Sequence, residues 1–299
     1  MQGTKHWTEK QGGIRLFLWR KAPAAGAAPR GTILFVHGSS MASQPTFDLQ
    51  VPGRPHSSVM AWFAARGFDT WCMDNEGYGR SDKSRPINFD IANGADDLAA
   101  GSEYVLRTSG ANQLFVYGIS SGALKAALFA QRHPGRVARL ALDAFVWTGA
   151  GSPTLAERKK KLAEFQSQNR RPIDRAFVRS IFARDHPGTA DEATIEAFAD
   201  AILALDDSVP TGTYVDMCSK LPLVDPAKIP VPTLILRGQY DGIASVDDLI
   251  EFFKRLPNAD KQFAVMAGIS HASFQQKNYL TVYHLLHAFF TQPEPEYRG

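Results

Sequence analysis

The chain has 299 residues, of which 44% are hydrophobic and 21% are charged, a composition that allows a large buried core and argues against global disorder. Its formal charge of +3 is small, and no basic stripe with interleaved aromatic residues occurs, which argues against a nucleic-acid partner. Two cysteines, Cys72 and Cys218, are too few for a disulfide scaffold.

Residues 1–10 are polar and lack the apolar core of a signal peptide, and no run approaches the roughly 18 apolar residues of a membrane helix. We therefore expect a soluble cytoplasmic protein that has no membrane partner. The length allows two average domains or one large domain with an insertion. The sequence does not distinguish a monomer from a homodimer.

The first half of the chain alternates strands and helices. Strands are predicted at 14–19, 32–36, 69–73, 114–117 and 137–146, and helices at 57–66, 91–109 and 123–133, with a long loop at 40–55. Strands that alternate with helices require crossover connections. The sheet is therefore expected to be mostly parallel.

A helical segment interrupts this alternation from Trp147 to about Pro222. Helices are predicted from Ser152-Pro153, from Pro172, and from a capping box at Thr189-Ala-Asp-Glu192, with no strand among them. Such an insertion is expected to form a cap over the sheet. The predicted domains are a core of residues 1–146 and 223–299 and a cap of residues 147–222.

The alternation returns after this segment. A strand at 232–236 precedes Gly238-Gln-Tyr-Asp241, and Ser245 is predicted to cap a helix that ends at Leu256. A second strand at 262–266 leads into a loop that ends at His271. A terminal helix is predicted from Ser273 to Phe290.

The most informative stretch is Leu114 to Leu124, where an apolar strand breaks at Gly118-Ile-Ser-Ser-Gly122 and gives way to helix-forming residues. The two glycines carry no Cβ to clash across a tight turn, so Ser120 can adopt a strained backbone conformation with its Oγ exposed. The N-terminus of the following helix would stabilise a developing oxyanion. G-x-S-x-G occurs by chance in loops, but between a strand and a helix it predicts a nucleophilic serine.

These motifs and their order resemble the α/β-hydrolase family over residues 14–290. The resemblance implies an α/β fold, with a mostly parallel central sheet flanked by helices and a helical cap inserted after the sixth strand. It also implies a catalytic triad in the order Ser, Asp or Glu, His, which Ser120, Asp241 and His271 match. In such a triad the imidazole activates the hydroxyl and the carboxylate orients the imidazole.

Asp143, at the end of the strand before the helical segment, is the alternative acid. Asp241 is favoured because the family usually places Gly-x-x-Asp after this strand. His284 and His287 lie on a predicted helix without a third metal ligand. We therefore expect neither a metal nor a cofactor.

The resemblance points to the backbone N–H groups of Ser39 and Ser121 as the oxyanion hole. Ser40, Phe145 and Trp147 are candidate substrate-binding residues. Phe165, Phe177, Phe182 and Phe198 are candidates either for an apolar acyl pocket or for the core of the cap.

Two charged stretches of the sequence bear on the site: the turn after the strand at 69–73 and the helical segment. The stretch from Asp74 to Ser81 resembles a structural Asp-x-x-Gly-x-Gly-x-Ser turn of the family, with Glu76 where relatives often have arginine. The first half of the helical segment is basic and its second half acidic, which indicates a solvated face or, alternatively, a carboxylate-recognition site. The basic residues are Arg158, Lys159, Lys160, Lys161, Arg170, Arg171, Arg175 and Arg179.

A serine at the turn argues against the relatives that open epoxides or displace halide, because those enzymes use an aspartate there. We expect a serine hydrolase that cleaves a carboxylic ester of a small or medium hydrophobic molecule through an acyl-enzyme on Ser120. Amide, lactone, thioester and carbon–carbon bond hydrolysis would use the same residues. A cofactor-independent oxygenase and a ligand receptor with vestigial turnover are two further hypotheses.

Overall fold

The computed structural model, which describes residues 2–297, is built on an eight-stranded sheet. Its strands are ordered β1-β2-β4-β3-β5-β6-β9-β10, and β7 and β8 form a separate two-stranded sheet. The ten strands are β1 (Thr4–Lys10), β2 (Ile14–Lys21), β3 (Gly31–Val36), β4 (Phe68–Met73), β5 (Leu114–Ile119), β6 (Val137–Asp143), β7 (Arg170–Pro172), β8 (Ser208–Pro210), β9 (Thr233–Gly238) and β10 (Lys261–Met266).

The pairing of the strands confirms a mostly parallel sheet. From β4 to β10 every neighbouring pair is parallel, whereas β2 runs antiparallel to β4 and β1 antiparallel to β2. The carboxyl ends of six strands therefore meet at one edge, where loops can converge on a site.

Helices cover both faces of the sheet, as expected when parallel strands need crossovers. Within residues 2–297, no helix combines the length and the apolar character needed to cross a membrane. The helices are α1 (Ser43–Phe47), α2 (Val59–Ala64), α3 (Ile91–Ser109), α4 (Ser121–Arg132), α5 (Pro153–Lys159), α6 (Leu162–Ser167), α7 (Arg175–Ala183), α8 (Glu192–Leu203), α9 (Gly212–Ser219), α10 (Val246–Arg255) and α11 (Tyr279–Thr291).

The alternation of side chains along β3 explains its continuous apolar sequence. Leu34 and Val36 belong to the hydrophobic cluster under α3, α4 and α10, and Ile33 and Phe35 belong to the cluster under α2 and α11. A strand buried on both faces needs apolar residues at every position. The predicted run 32–36 therefore corresponds closely to the observed strand.

The edge strand β1 is absent from the sequence prediction. Its residues are exposed or half-buried and mostly polar, so no apolar alternation marks them. The strand pairs with β2 along its whole length, from Thr4 opposite Arg20 to Lys10 opposite Ile14. Backbone pairing to an established strand, rather than side-chain burial, therefore defines β1.

The prediction that residues 147–222 contain helices only is wrong. These residues form α5 to α9, but β7 and β8 also lie among them and pair antiparallel, with Arg171 opposite Val209. Three-residue strands carry too little pattern to be read from sequence. The assignment of the segment as a separate cap domain remains a prediction, and Met1, Arg298 and Gly299 of the predicted core lie outside the described residues.

Several helix boundaries also differ from the prediction. Helix α7 begins at Arg175 with Asp174 as its N-cap, because Pro172 belongs to β7. Helix α8 begins after Asp191, and the Thr189 hydroxyl donates to the carbonyl of His186 and does not cap the helix. The remaining differences are an early end of β6 at Asp143, a separate 3₁₀ turn at Ser273–Gln275 before α11, and α1 within the predicted loop.

Gly122→Ala should destabilise the fold by at least ~3 kcal/mol, because a Cβ at this position would lie 2.3 Å from the Val36 carbonyl oxygen and 2.6 Å from that of His37. Urea unfolding measures the change. Gly135→Ala is the matched control, because a Cβ there meets no atom within 4 Å and the unfolding free energy should change by less than ~1 kcal/mol. Equal stability of the two variants would contradict this account of the turn.

Candidate active site

The turn between β5 and α4 holds Ser120 in a strained conformation. Its φ of 58° and ψ of −126° lie where a residue with a side chain is rarely found. A Cβ on Gly118 would lie 2.3 Å from the Gly122 carbonyl oxygen, so the close approach of the two glycines makes the turn possible. The Ser120 amide donates to the Asp143 carbonyl at 2.9 Å, which fixes the turn against β6.

The structure brings the three predicted catalytic side chains together. His271 Nε2 lies 3.0 Å from Ser120 Oγ, and His271 Nδ1 lies 2.9 Å from Asp241 Oδ1. All three residues are buried. With the Nδ1 proton donated to the carboxylate, Nε2 is free to accept the hydroxyl proton, which is the arrangement that a serine nucleophile requires.

The Asp241 carboxylate is held in its ionised form. Burial alone would raise the pKa of Asp241, but the charge and hydrogen bond of His271 and the donated amide of Ile243 together hold this pKa below its ordinary value. An ionised carboxylate at Nδ1 stabilises an imidazolium that forms at His271. The electrostatics of the loop after β9 therefore suit a base at His271.

Asp143, the alternative acid, has different partners. Its carboxylate accepts hydrogen bonds from the Tyr117 hydroxyl at 2.7 Å and the Ser273 hydroxyl at 3.1 Å. Burial raises the pKa of Asp143 to about 7, although both hydroxyl donors lower it. The described contacts therefore join His271 to Asp241 and leave Asp143 in a separate hydrogen-bonded group.

The loop after β3 carries the predicted oxyanion donor Ser39. The preceding His37 is fully buried: its Nδ1 donates to the Gly38 carbonyl at 2.8 Å, and its Nε2 accepts from the Asn75 amide at 3.0 Å. Burial and the charge of Lys125 hold the pKa of His37 well below its ordinary value, so the ring is neutral and keeps one tautomer. His37 thus fixes the backbone of the loop.

Two predicted oxyanion donors lie close to the nucleophile. A Cβ built on Gly38 would lie 3.3 Å from the Cβ of Ser120, so the backbone of the residue before Ser39 lies next to the nucleophile. Ser121 is the first residue of α4, where backbone N–H groups have no partner within the helix. Donors at these two positions are suited to an oxyanion formed on a carbonyl attacked by Ser120.

The turn after β4 is structural. Asp74 accepts hydrogen bonds from the Ser43 amide and hydroxyl and from the Arg80 amide, and the Ser81 hydroxyl donates to the Asp74 carbonyl. Glu76, in the position where relatives often have arginine, forms ion pairs with Lys10 and Arg85. Its charge is therefore neutralised by these two cations.

The candidate substrate-binding residues lie in different places. The Ser40 hydroxyl accepts a hydrogen bond from Arg171 Nη2 at 2.8 Å and lies 3.3 Å from the Tyr214 hydroxyl. Phe145 and Trp147 pack against Phe252 of α10 in the core, and neither lines the cavity next to Asp241. Since β6 ends at Asp143, both aromatic rings lie in the core between the end of β6 and the start of α5 at Pro153.

A cavity of about 670 Å³ lies between α5, α6, α7 and α9 and the loop after β9. Of the predicted pocket aromatics, Phe165 and Phe177 line it, whereas Phe182 and Phe198 pack against each other in a core cluster. Asp241 also lines the cavity, but Ser120 and His271 do not. Of the three predicted catalytic residues, the cavity therefore contacts only Asp241.

One cluster has donor types that a metal could use. Ligand atoms of Asp185, Asp241 and His271 all lie within 4.8 Å of one another. The Asp185 carboxylate already accepts both hydrogen bonds of the Arg184 guanidinium, and Asp241 Oδ1 accepts from His271. A metal at this place would have to displace an ion pair and the hydrogen bond that orients the imidazole.

Three residues next to the site are missing from the predicted site: the prediction does not name Lys125 and Tyr214, and it names Arg171 only among the basic residues of the helical segment. Lys125 donates to the His37 carbonyl and to Asn75 Oδ1, and Arg171 and Tyr214 contact Ser40. Lys125 lies on an otherwise apolar face of α4, which was a usable signal because a buried lysine needs a partner. The other two residues are joined to Ser40 only by the folding of distant segments.

Known hydrolases resemble the chain over most of its length. Residues 27–278 match the model of a family described as serine aminopeptidase, S33. The AB hydrolase superfamily protein YisY of Bacillus subtilis (strain 168) is 27% identical over 260 residues, which cover 82% of this chain and 86% of that protein.

Solved structures share the fold. A soluble variant of monoglyceride lipase from Saccharomyces cerevisiae, in complex with a substrate analog, has a TM-score of 0.73 at 18% identity and covers 97% of this chain and 96% of that chain. A thermophilic esterase from Thermogutta terrifontis has a TM-score of 0.66 at 20% identity, with 97% and 100% of the two chains covered. At these identities the likeness concerns the fold.

Asp143→Asn should stabilise the protein increasingly as the pH rises from about 4 to about 7. The raised pKa of Asp143 means that the folded state binds more protons than the unfolded state in this window, so its contribution to stability falls as pH rises. Asparagine carries no charge and can still accept from Tyr117. Urea unfolding of both proteins at several pH values measures the difference.

Asp207→Asn, at an exposed carboxylate, is the control for this experiment. It should leave the pH dependence of unfolding close to that of the parent protein. The difference in unfolding free energy between Asp143→Asn and the parent should grow over these pH values. A constant difference would show that ionisation of Asp143 does not destabilise the folded state.

Proposed function

The chain belongs to the serine aminopeptidase S33 family of α/β hydrolases, and on this premise we propose that it hydrolyses carboxylic esters through an acyl-enzyme on Ser120. The observation that carries the proposal is the continuous hydrogen-bonded series from Ser120 Oγ through His271 to Asp241, with distances of 3.0 and 2.9 Å. A serine hydroxyl is a poor nucleophile unless a base of this kind removes its proton.

In the proposed reaction, His271 Nε2 accepts the Ser120 proton while Oγ attacks the ester carbonyl carbon. The backbone N–H groups of Ser39 and Ser121 donate to the oxyanion of the tetrahedral intermediate, which is worth about 3 kcal/mol for each donor. The imidazolium then protonates the departing alcohol as the carbon–oxygen bond breaks. A water molecule, deprotonated by the same nitrogen, attacks the acyl-enzyme and releases the acid.

The size and lining of the cavity support a small or medium substrate with an apolar portion. A volume of about 670 Å³ is in the range of small-molecule sites, and Phe165 and Phe177 form apolar walls. Solved neighbours that are described as a monoglyceride lipase and an esterase agree with ester hydrolysis. Amide bonds need the same three residues, so the test must include them.

Ser120→Ala should lower kcat for p-nitrophenyl esters by roughly 10⁴ to 10⁶, because the nucleophile is removed while binding groups remain. The measurement compares p-nitrophenyl esters with p-nitroanilides, including an amino-acid anilide, and maps the residue labelled by a serine-directed phosphonate. Ser121→Ala is the matched control, since its hydroxyl has no hydrogen-bond partner among residues 2–297 and its backbone N–H is kept. Near-parental turnover by Ser120→Ala would end the acyl-enzyme proposal.

Asp241→Asn should lower kcat by roughly 10³ to 10⁴, because an amide at this position favours the wrong imidazole tautomer. Asp143→Asn, at a carboxylate that contacts Tyr117 and Ser273 instead of His271, should lower kcat by less than ~10-fold. Steady-state kinetics of the two variants make the comparison. The opposite order would assign the orienting role to Asp143.

A further inference from the structure

Two arginines in the helical segment enclose one tyrosine at the edge of the cavity. The guanidinium carbon of Arg171 lies 4.0 Å from the ring centroid of Tyr214, and that of Arg158 lies 4.3 Å from it. Arg158 and Tyr214 line the cavity, and Arg171 also lies over the ring of Phe177, another cavity residue. We call Arg158 and Arg171 the arginine pair.

The arginine pair has donors that no acceptor among residues 2–297 uses. Arg171 is 5% exposed, and its Nη2 donates to the Ser39 carbonyl and the Ser40 hydroxyl. Its Nε and Nη1, together with Nη1 of Arg158, are buried without a hydrogen-bond partner in the described part of the chain. Across residues 2–297, neither arginine forms an ion pair with a carboxylate.

Most of the other charged groups around the cavity have partners. Arg184 is paired with Asp185, and Arg237 donates to the carbonyls of the loop after β9. Glu157 is paired with Lys160, and Asp241 accepts from His271. The two other arginines that line the cavity therefore have acceptors, whereas buried donors of Arg158 and Arg171 have none among the described residues.

Unpaired guanidinium groups in the interior are costly, and arginine cannot relieve that cost by losing its proton. The local field favours a negative charge at this point. Burial alone would raise the pKa of Tyr214, but the charges of Arg158 and Arg171 and the hydrogen bond with Ser40 lower it to about 7. The same field would stabilise an anion that enters the cavity.

The position of the arginine pair connects it with the proposed chemistry. Arg171 donates to the carbonyl of Ser39, whose amide is a proposed oxyanion donor, so the guanidinium and the oxyanion hole are on opposite sides of one residue. The arginine pair is therefore linked to the proposed oxyanion hole through the backbone of Ser39.

We propose that Arg158 and Arg171 bind a carboxylate of the substrate, so that the preferred substrate is an ester that also carries a free carboxylate. This inference rests on the proposed ester hydrolysis. A carboxylate accepts two parallel hydrogen bonds from one guanidinium group, and the donors of the pair that have no acceptor within the described chain are of this kind. Phe165 and Phe177 contact the apolar portion between the carboxylate and the ester.

The test compares each acid with its methyl ester. p-Nitrophenyl hydrogen adipate and p-nitrophenyl methyl adipate place the carboxylate on the acyl side, and 4-acetoxybenzoate and its methyl ester place it on the alcohol side. The readout is the ratio of kcat/KM for the acid to kcat/KM for its methyl ester. In at least one pair, the wild-type ratio should be roughly 10 to 100, since hydrogen bonds to charged groups contribute this much.

Arg158→Met should bring that ratio close to one. Lys159→Met is the matched control, because it removes a positive charge from an exposed position one residue further along the same helix. It should keep the wild-type ratio. A wild-type ratio near one in both substrate pairs, or an equal effect of the two variants, would overturn the carboxylate site and leave ester hydrolysis intact.

A binding experiment separates this inference from the catalytic proposal. Calorimetry with the Ser120→Ala protein should detect binding of monomethyl adipate and at least tenfold weaker binding of dimethyl adipate. If the wild-type enzyme cleaves none of the four esters, the proposed function is wrong. The calorimetry still tests the carboxylate site in that case. Equal binding of the two adipates would overturn it. Thermal unfolding of Arg158→Met checks that the variant folds.

Discussion

The close contact between the beginning of α4 and the end of β3 is the constraint on which the site depends. Gly122 lies against the carbonyls of Val36 and His37, and a side chain at this position would force the helix and the strand apart. Because β3 continues into the loop of Ser39 and α4 begins directly after Ser120, this one contact determines how close the oxyanion donor lies to the nucleophile. The geometry of the proposed chemistry therefore follows from backbone packing, and the strained φ of Ser120 is stabilised by the surrounding structure.

A buried polar network stabilises the loop after β3, which carries Ser39. Lys125 donates to the His37 carbonyl and to Asn75, and Asn75 in turn donates from its side chain to Asp97. Burial lowers the pKa of Lys125 to about 7, so near neutral pH the amine can donate hydrogen bonds while it carries only part of a positive charge. Lys10 of β1 completes the network through its ion pairs with Asp97 and Glu76. The polar edge strand thus contributes a cation to the interior, which explains how Glu76 is accommodated.

The sequence was sufficient to predict the parts of the fold that are encoded locally. The order of strands and helices, the turn at Ser120 and the three side chains that meet there all follow from runs of neighbouring residues and from family resemblance. The start of α7 and the pairing of β7 with β8 could not be predicted, because Pro172 pairs with the distant Ser208 and this pairing leaves Asp174 to cap the helix. For the same reason the contact of Arg171 with Ser40, which lie 131 residues apart, was beyond sequence reasoning, although the basic character of that segment was visible.

The carboxylates of Asp143 and Asp241 at the edge of the sheet have different pKa values because their surroundings differ. Asp143 ends β6 and Asp241 follows the neighbouring β9, and the charge of Asp241 contributes to the raised pKa of Asp143. His271 and the Ile243 amide lower the pKa of Asp241, whereas burial among neutral hydroxyl donors raises the pKa of Asp143 to about 7. Two environments that separate the pKa values of neighbouring acids are what an acid–base site requires. Because Asp143 is partly protonated near neutral pH, the proposed imidazolium at His271 interacts mainly with one anion, and that anion is the carboxylate to which Nδ1 is hydrogen-bonded.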